Sequence, residues 1–156
     1  MRFFSGGAYS NRGFPDNQAG PRDTITGFPL GGKAVLMNSL ELRFPLLGDN
    51  LGGVLFHDAG NVYSSIEDVS LRFRQRNLTD FNYMVHAAGF GIRYRTPIGP
   101  IRADFALSPN SPRFFGFRGD LQSLLTCSAP NSATPCVAVA QRINIFQFHF
   151  SLGQAF

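Results

Sequence analysis

Few side chains in this chain are placed where they could form a site, and the one in the most unusual surroundings is Arg12. It stands in Gly6-Gly7-Ala8-Tyr9-Ser10-Asn11-Arg12-Gly13-Phe14, between glycine turns and far from any apolar run. A guanidinium presents a planar fork of donors that matches carboxylates bidentately, though a lone loop arginine is as readily a solvated charge. The three histidines, His57, His86 and His149, lie on separate periodic stretches, two of them on parities that also carry apolar residues. Neither a Gly-x-Ser-x-Gly nor a His-Glu-x-x-His spacing occurs, and Gly31-Gly32-Lys33 lacks the preceding glycine loop of a phosphate-binding lysine. Gly89-Phe90-Gly91 falls inside a strand pattern, where close backbone approach accounts for it better than a dinucleotide does. The expectation is therefore no catalytic constellation, no metal and no cofactor. Cys127 and Cys136 share a polar stretch in which a local disulfide or two free thiols both fit. Their spacing is too wide for a zinc knuckle and no histidine lies near.

The elements that must position these residues follow from composition. With 17 Phe, no Trp, 17 Gly, 10 Pro and only 15% charged residues in 156, short extended segments joined by turns are favoured over amphipathic helices. The net charge of +4 is scattered, without the basic run or aromatic interleaving of a nucleic-acid groove, so no nucleic-acid partner is expected. No run approaches the roughly 18 apolar residues of a membrane helix, which leaves a β-barrel open. Met1-Arg2-Phe3-Phe4-Ser5-Gly6-Gly7 has no apolar core of signal-peptide length, and this suggests a piece of a longer protein.

Residues 1–31 hold six glycines and three prolines and read as one long irregular segment, a length that is usually functional. In residues 33–44, Ala34, Leu36, Leu40, Leu42 and Phe44 alternate with Lys33, Ser39, Glu41 and Arg43, which is the period of a strand. Glu41 thus belongs to the polar face. Residues 45–50 form a turn and residues 53–62 a returning strand of poor alternation. Asp58 shares its parity with Val54 and Phe56, and His57 shares its own with Leu55 and Ala59, so periodicity cannot orient this segment. Residues 63–82 read as a long loop with one helical turn near Ser65. A third strand, residues 84–95, sets Met84, His86, Ala88, Phe90, Ile92 and Tyr94 against Gly89, Gly91, Arg93 and Arg95. A turn at residues 96–100 and a fourth strand at 101–107 follow. Asp104 and Arg102, on its polar parity, could form an inward pair but are read as solvated charge. Residues 108–141 form a second long polar loop, and residues 143–156 a last strand in which Phe146, Phe148, Phe150, Leu152 and Phe156 alternate with Gln147, His149, Ser151 and Gly153.

One face thus carries Phe, Leu and Ile, the other charges and glycine, with short turns at one end and long loops at the other. A soluble sandwich would need a second sheet for the apolar face, and about five strands leave none to form it. The expected fold is all-β: an antiparallel transmembrane β-barrel portion of about five strands, with long extracellular loops and short periplasmic turns. Five strands with open edges cannot span lipid alone, so something must complete the barrel.

The chain resembles the BamA-type outer-membrane assembly proteins, a family that includes TamA and the two-partner secretion transporters. The resemblance covers nearly the whole chain. It rests on Arg12-Gly13-Phe14 after Gly6-Gly7; Asn38-Ser39-Leu40-Glu41-Leu42-Arg43-Phe44-Pro45-Leu46; Phe56-His57-Asp58-Ala59-Gly60-Asn61-Val62; Gly89-Phe90-Gly91-Ile92-Arg93-Tyr94-Arg95-Thr96-Pro97-Ile98-Gly99-Pro100; and Phe148-His149-Phe150-Ser151-Leu152-Gly153-Gln154-Ala155-Phe156. It implies that residues 1–31 are a lumen-inserting loop and residues 32–156 the C-terminal barrel strands. It also implies that the loop arginine pairs with acids on the next two strands, which here are Glu41 and Asp58. A glycine and an aromatic three residues later, Gly153 and Phe156, match the terminal signal by which such barrels are recognised. The implied setting is the bacterial outer membrane. The implied partners are its lipid, unfolded barrel-protein clients, and assembly lipoproteins or periplasmic domains. The implied work is assembly, insertion or translocation of polypeptides without cofactor. A transporter for a soluble passenger, or a barrel anchoring a patatin-type phospholipase, are the alternatives that the resemblance leaves open.

Overall fold

The structure is a computed structural model that describes residues 1–131 and 133–153. Its main sheet is antiparallel throughout and takes β1 (Ala34–Leu47), β2 (Leu51–Tyr63), β3 (Val85–Thr96), β4 (Gly99–Leu107) and β7 (Phe146–Leu152) in that order. The sheet is open, with β1 and β7 at its edges. Two short turns link β1 to β2 and β3 to β4. Gly48, at φ 57°, sits in the first, and in the second the Thr96 hydroxyl and the Gly99 backbone tie the corner together. The second corner is tighter than residues 96–100 suggested, because Pro100 already lies in β4 opposite Arg95. A missing N–H is tolerated at a strand's start.

Exposure settles which face is which. Leu40, Leu42, Leu55, Phe90, Tyr94, Phe148 and Phe150 all project outward and uncovered, whereas Val54, Phe56, Asp58, Ala87, Asp104 and Ala106 are buried on the other face. An apolar face with no second layer over it is the lipid-facing side of a barrel wall. The segment 1–31 covers the opposite, inner face. Its backbone makes two isolated bridges, Phe3 with Gly32 just before β1 and, within the segment, Arg22 with Pro29. It is fixed instead by packing, with Phe14 and Ala19 in a cluster with Val62, Tyr83, Val85 and Ile143.

Beyond the strand ends, residues 63–84 contain one 3-10 turn, Ile66–Asp68, where a helical turn was expected. Residues 108–141 are more ordered than a polar loop. They form a hairpin of β5 (Arg113–Phe117) and β6 (Ala138–Arg142), with α1 (Leu121–Cys127) between them. Asp120 caps α1, its carboxylate accepting from the Ser123 backbone N–H at 2.9 Å. The aromatics of β5 crowd at Phe114, Phe115 and Phe117 without strict alternation, and β6 runs from Ala138-Val139-Ala140 into Gln141-Arg142, so no period of two stands out. The last strand starts at Phe146, later than residue 143, and after Leu152 Gly153 turns to φ 88° while its N–H still donates to Pro100 O at 3.0 Å.

Candidate functional site: an arginine held on the inner face

Arg12 is 2% exposed although no strand carries it. Its backbone N–H and Nε–H both donate to Asp58 Oδ2, at 3.1 and 2.6 Å, and Nη2 donates to Asp58 Oδ1 at 2.8 Å. Nη1 reaches Glu41 Oε1 at 2.8 Å. Below the guanidinium lies the Phe56 ring, 3.5 Å from Cζ to centroid. Glu41 pairs with Phe56 and Ser39 with Asp58 in the β1–β2 register, so two rungs on either side of the Leu40–His57 pair supply both acids, the ring and a hydroxyl on one face. Ser39 donates to Asp58 Oδ1 at 2.6 Å and so holds the carboxylate in place for the fork.

The sequence left Asp58 unoriented; the structure puts it inward with Val54 and Phe56, at 1% exposure, and sends His57 outward. Glu41 is also inward but is 20% exposed, and its second oxygen meets the exposed Arg43 at 2.8 Å.

The reading of Asp104 and Arg102 as solvated charge is overturned. Asp104 is 1% exposed, takes Arg93 Nη1 at 2.6 Å and Arg102 Nε at 2.7 Å, and lies 3.7 Å from Arg12 Nη1. Parity had placed it correctly, but what buries it is the loop, which no strand pattern reports. Gly91, its register partner, leaves room for the carboxylate and its arginines because it has no side chain.

Neighbours of the arginine hold the loop as well. Asn11 Nδ2 donates to Gly60 O at 3.2 Å and Val85 O at 2.9 Å, and its Oδ1 accepts from the Gly13 N–H at 2.9 Å. Gly13 has no room for a side chain, since a Cβ there would fall 2.8 Å from that of Ala87 and 3.1 Å from that of Ser108. Arg102 Nη2 donates to Ala8 O at 2.7 Å, and His149 Nε2 lies 3.0 Å from Arg12 O. A carbonyl only accepts, so that histidine nitrogen carries the proton. Sequence reasoning missed Asn11, Ser39, Phe56, Arg93 and His149 as parts of the site. The inward parities of Ser39, Arg93 and His149 were the available signal.

Of the remaining candidates, His57 and His86 meet on the outer face, with Nε2 and Nδ1 3.2 Å apart. Cys127 and Cys136 are joined by a disulfide, Cα atoms 5.0 Å apart, which closes the segment after α1. Gly153 ends β7, and Phe156 lies outside the described residues. Among the described residues no three metal-ligating side chains gather around one point. Arg22, the second buried loop arginine, has no carboxylate. Its Nη1 donates to Gly27 O and its Nη2 to Gln18, its Cζ lies over the Phe114 ring, and burial lowers its pKa to about 10. It stays charged at neutral pH and ties the loop to the outer hairpin.

An open antiparallel sheet, apolar on one face and charged on the other, with an irregular arginine-bearing segment laid across the charged face, has the two-sided pattern of a β-barrel wall. The model of the Omp85 superfamily domain matches residues 1–156, and the chain belongs to the Omp85 superfamily. At the level of that superfamily, the work is insertion or translocation of polypeptides at the bacterial outer membrane.

Proposed function

We propose that this chain is the C-terminal barrel portion of a BamA/TamA-type factor that assembles β-barrel proteins, with residues 1–31 as its lumen loop and no covalent chemistry. The observation that carries the reading is the capture of Arg12 by Asp58 and Glu41 over Phe56. A segment with almost no backbone pairing to the sheet is thereby set in one orientation on the inner face, beneath the strands that a client must pass. The edge of β7 away from β4 presents backbone donors and acceptors to which an incoming strand can add. Lipid meets the outer phenylalanines, and clients meet the edge.

The test is replacement of the native copy in its own host by Arg12→Ala, with photo-crosslinkers along β7 of the otherwise native protein. Assembly work predicts crosslinks to unfolded barrel proteins and a fall in their folded, heat-modifiable forms in Arg12→Ala. Crosslinks to one soluble exported protein, with barrel proteins unaffected, would assign the chain to passenger secretion instead.

A further inference from the structure

We propose that His149 is a positioning residue that fastens the terminal strand to the arginine loop, so that the place of β7 in the sheet and the place of the loop on the inner face are set together. This rests on the loop-lock reading above. Among the described residues, the register of β7 with β4 runs over seven pairs, from Ile101 with Leu152 to Leu107 with Phe146. That of β1 with β2 runs from Ala34 with Tyr63 to Leu47 with Leu51. The phenylalanines of β7 are exposed on the outer face. Of its inward side chains, Gln147 turns back to Asn144 O at 2.9 Å, within its own segment. His149 crosses to the loop and donates to the carbonyl of Arg12, the residue whose side chain and N–H are held by β2.

The surroundings make that single bond matter. A cavity of about 560 Å³ is lined by Ala8, Tyr9 and Asp16 of the loop and by Phe148, His149, Phe150 and Ser151 of β7, so His149 makes its bond at the edge of a gap between the two. His149 stands opposite Asp104 in the register, and Asp104 orients Arg102 toward Ala8 O. Two backbone oxygens of the loop, four residues apart, are therefore held by the two last strands of the sheet, one from each. Displacing β7 removes the tie at Arg12, and by reciprocity freeing the loop loosens β7.

The experiment uses the full-length protein in outer-membrane vesicles, with cleavage inside residues 1–31 by proteinase K followed by mass spectrometry and heat-modifiability as the check of a folded barrel. His149→Ala is expected to raise the cleavage rate about 3- to 10-fold, the scale of one hydrogen bond lost. His149→Gln, which keeps an N–H donor, is expected to return most of the protection. In Arg12→Ala, where the loop is already free, adding His149→Ala is expected to change nothing further. A rate within twofold of wild type in His149→Ala, no return in His149→Gln, or full additivity with Arg12→Ala would each overturn the coupling. If His149→Ala does not reach the membrane folded, His149→Leu against His149→Gln makes the same comparison. Should Arg12→Ala itself leave cleavage unchanged, the lock reading fails as well; should only the His149 variants be silent, the coupling alone fails.

Discussion

The most demanding consequence of the site concerns Asp58→Asn, which keeps the shape of the side chain and removes its charge. Asp58 accepts four donors: the Arg12 backbone N–H, Nε–H, Nη2–H and the Ser39 hydroxyl. An amide offers one acceptor oxygen. If its NH2 replaces Oδ2, two fixed N–H groups of Arg12 point at it. If it replaces Oδ1, only Nη2 is opposed, since the Ser39 hydroxyl can turn to accept, so this second orientation is the one expected. The charge is still lost from a residue that is 1% exposed. Breaking a buried ion pair on one side costs about 3–5 kcal/mol, and the low end applies because Glu41 and Asp104 still face the guanidinium. About 3 kcal/mol raises the population of the released loop roughly 150-fold. Glu41→Gln should be far milder. Glu41 is 20% exposed and gives Arg12 one bond, so roughly 1 kcal/mol, or about fivefold, is the scale. Hydrogen–deuterium exchange of residues 6–14 reads this directly, because the Arg12 amide is itself bonded to Asp58. A change below tenfold in Asp58→Asn, or an effect no larger than that of Glu41→Gln, would refute the assignment of Asp58 as the principal partner.

Gly13→Ala should destabilise the loop's seat by about 1–3 kcal/mol through overpacking against Ala87 and Ser108, seen as faster exchange at Asn11 and Phe14. Alkylation followed by intact mass should label neither Cys127 nor Cys136 before reduction and both after it, and labelling without reductant would contradict the bridge. The outer segment between β2 and β3 should be sensitive to acid through Asp80. Burial alone would raise its pKa, but the N–H groups of Arg76 and Asn82 and the Arg72 guanidinium bring it below the ordinary value. A depressed pKa means that its stabilisation is fully present above about pH 4 and fades as pH falls through the folded value. Exchange of residues 69–82, corrected for intrinsic rate, should therefore rise below pH 4 in the wild type and be raised already at pH 6 in Asp80→Asn.

The wall of the sheet was legible because lipid and lumen impose opposite demands on alternate residues, and β1, β3, β4 and β7 obey them. β2 did not declare its faces, since Val54, Phe56 and Asp58 share one parity while Leu55 and His57 share the other. Its inner apolar residues are there to meet the loop: Phe56 lies under Arg12, and Val62 packs on Phe14 and Ala19. Periodicity encodes the two solvents of a strand and is silent about a segment that folds back over it. For the same reason Asp104, on the correct parity, was misjudged as solvated, and the link from His149 to Arg12, between residues 137 positions apart, left no local pattern. The hairpin of β5 and β6 escaped because its strands pair only with each other outside the wall.

The inner face brings Arg12, Arg93 and Arg102 together with Glu41, Asp58 and Asp104, an even count of opposite charges around one loop residue. Such a cluster adds little net stability over apolar packing of the same volume, because desolvation offsets most of the attraction. What it supplies is position. An apolar plug could slide along Val54, Phe56 and Ala106, whereas a guanidinium bonded along its Nε–Nη2 edge to one carboxylate and through Nη1 to another fits in a single orientation. The loop has nearly no backbone ladder of its own to stay ordered, and fixing the backbone of residues 6–14 alone costs on the order of 10 kcal/mol. The ties at Asn11, Arg12, Phe14 and Ala8 therefore work against a cost comparable to their sum. Removing one of them should free the segment without unfolding the wall behind it.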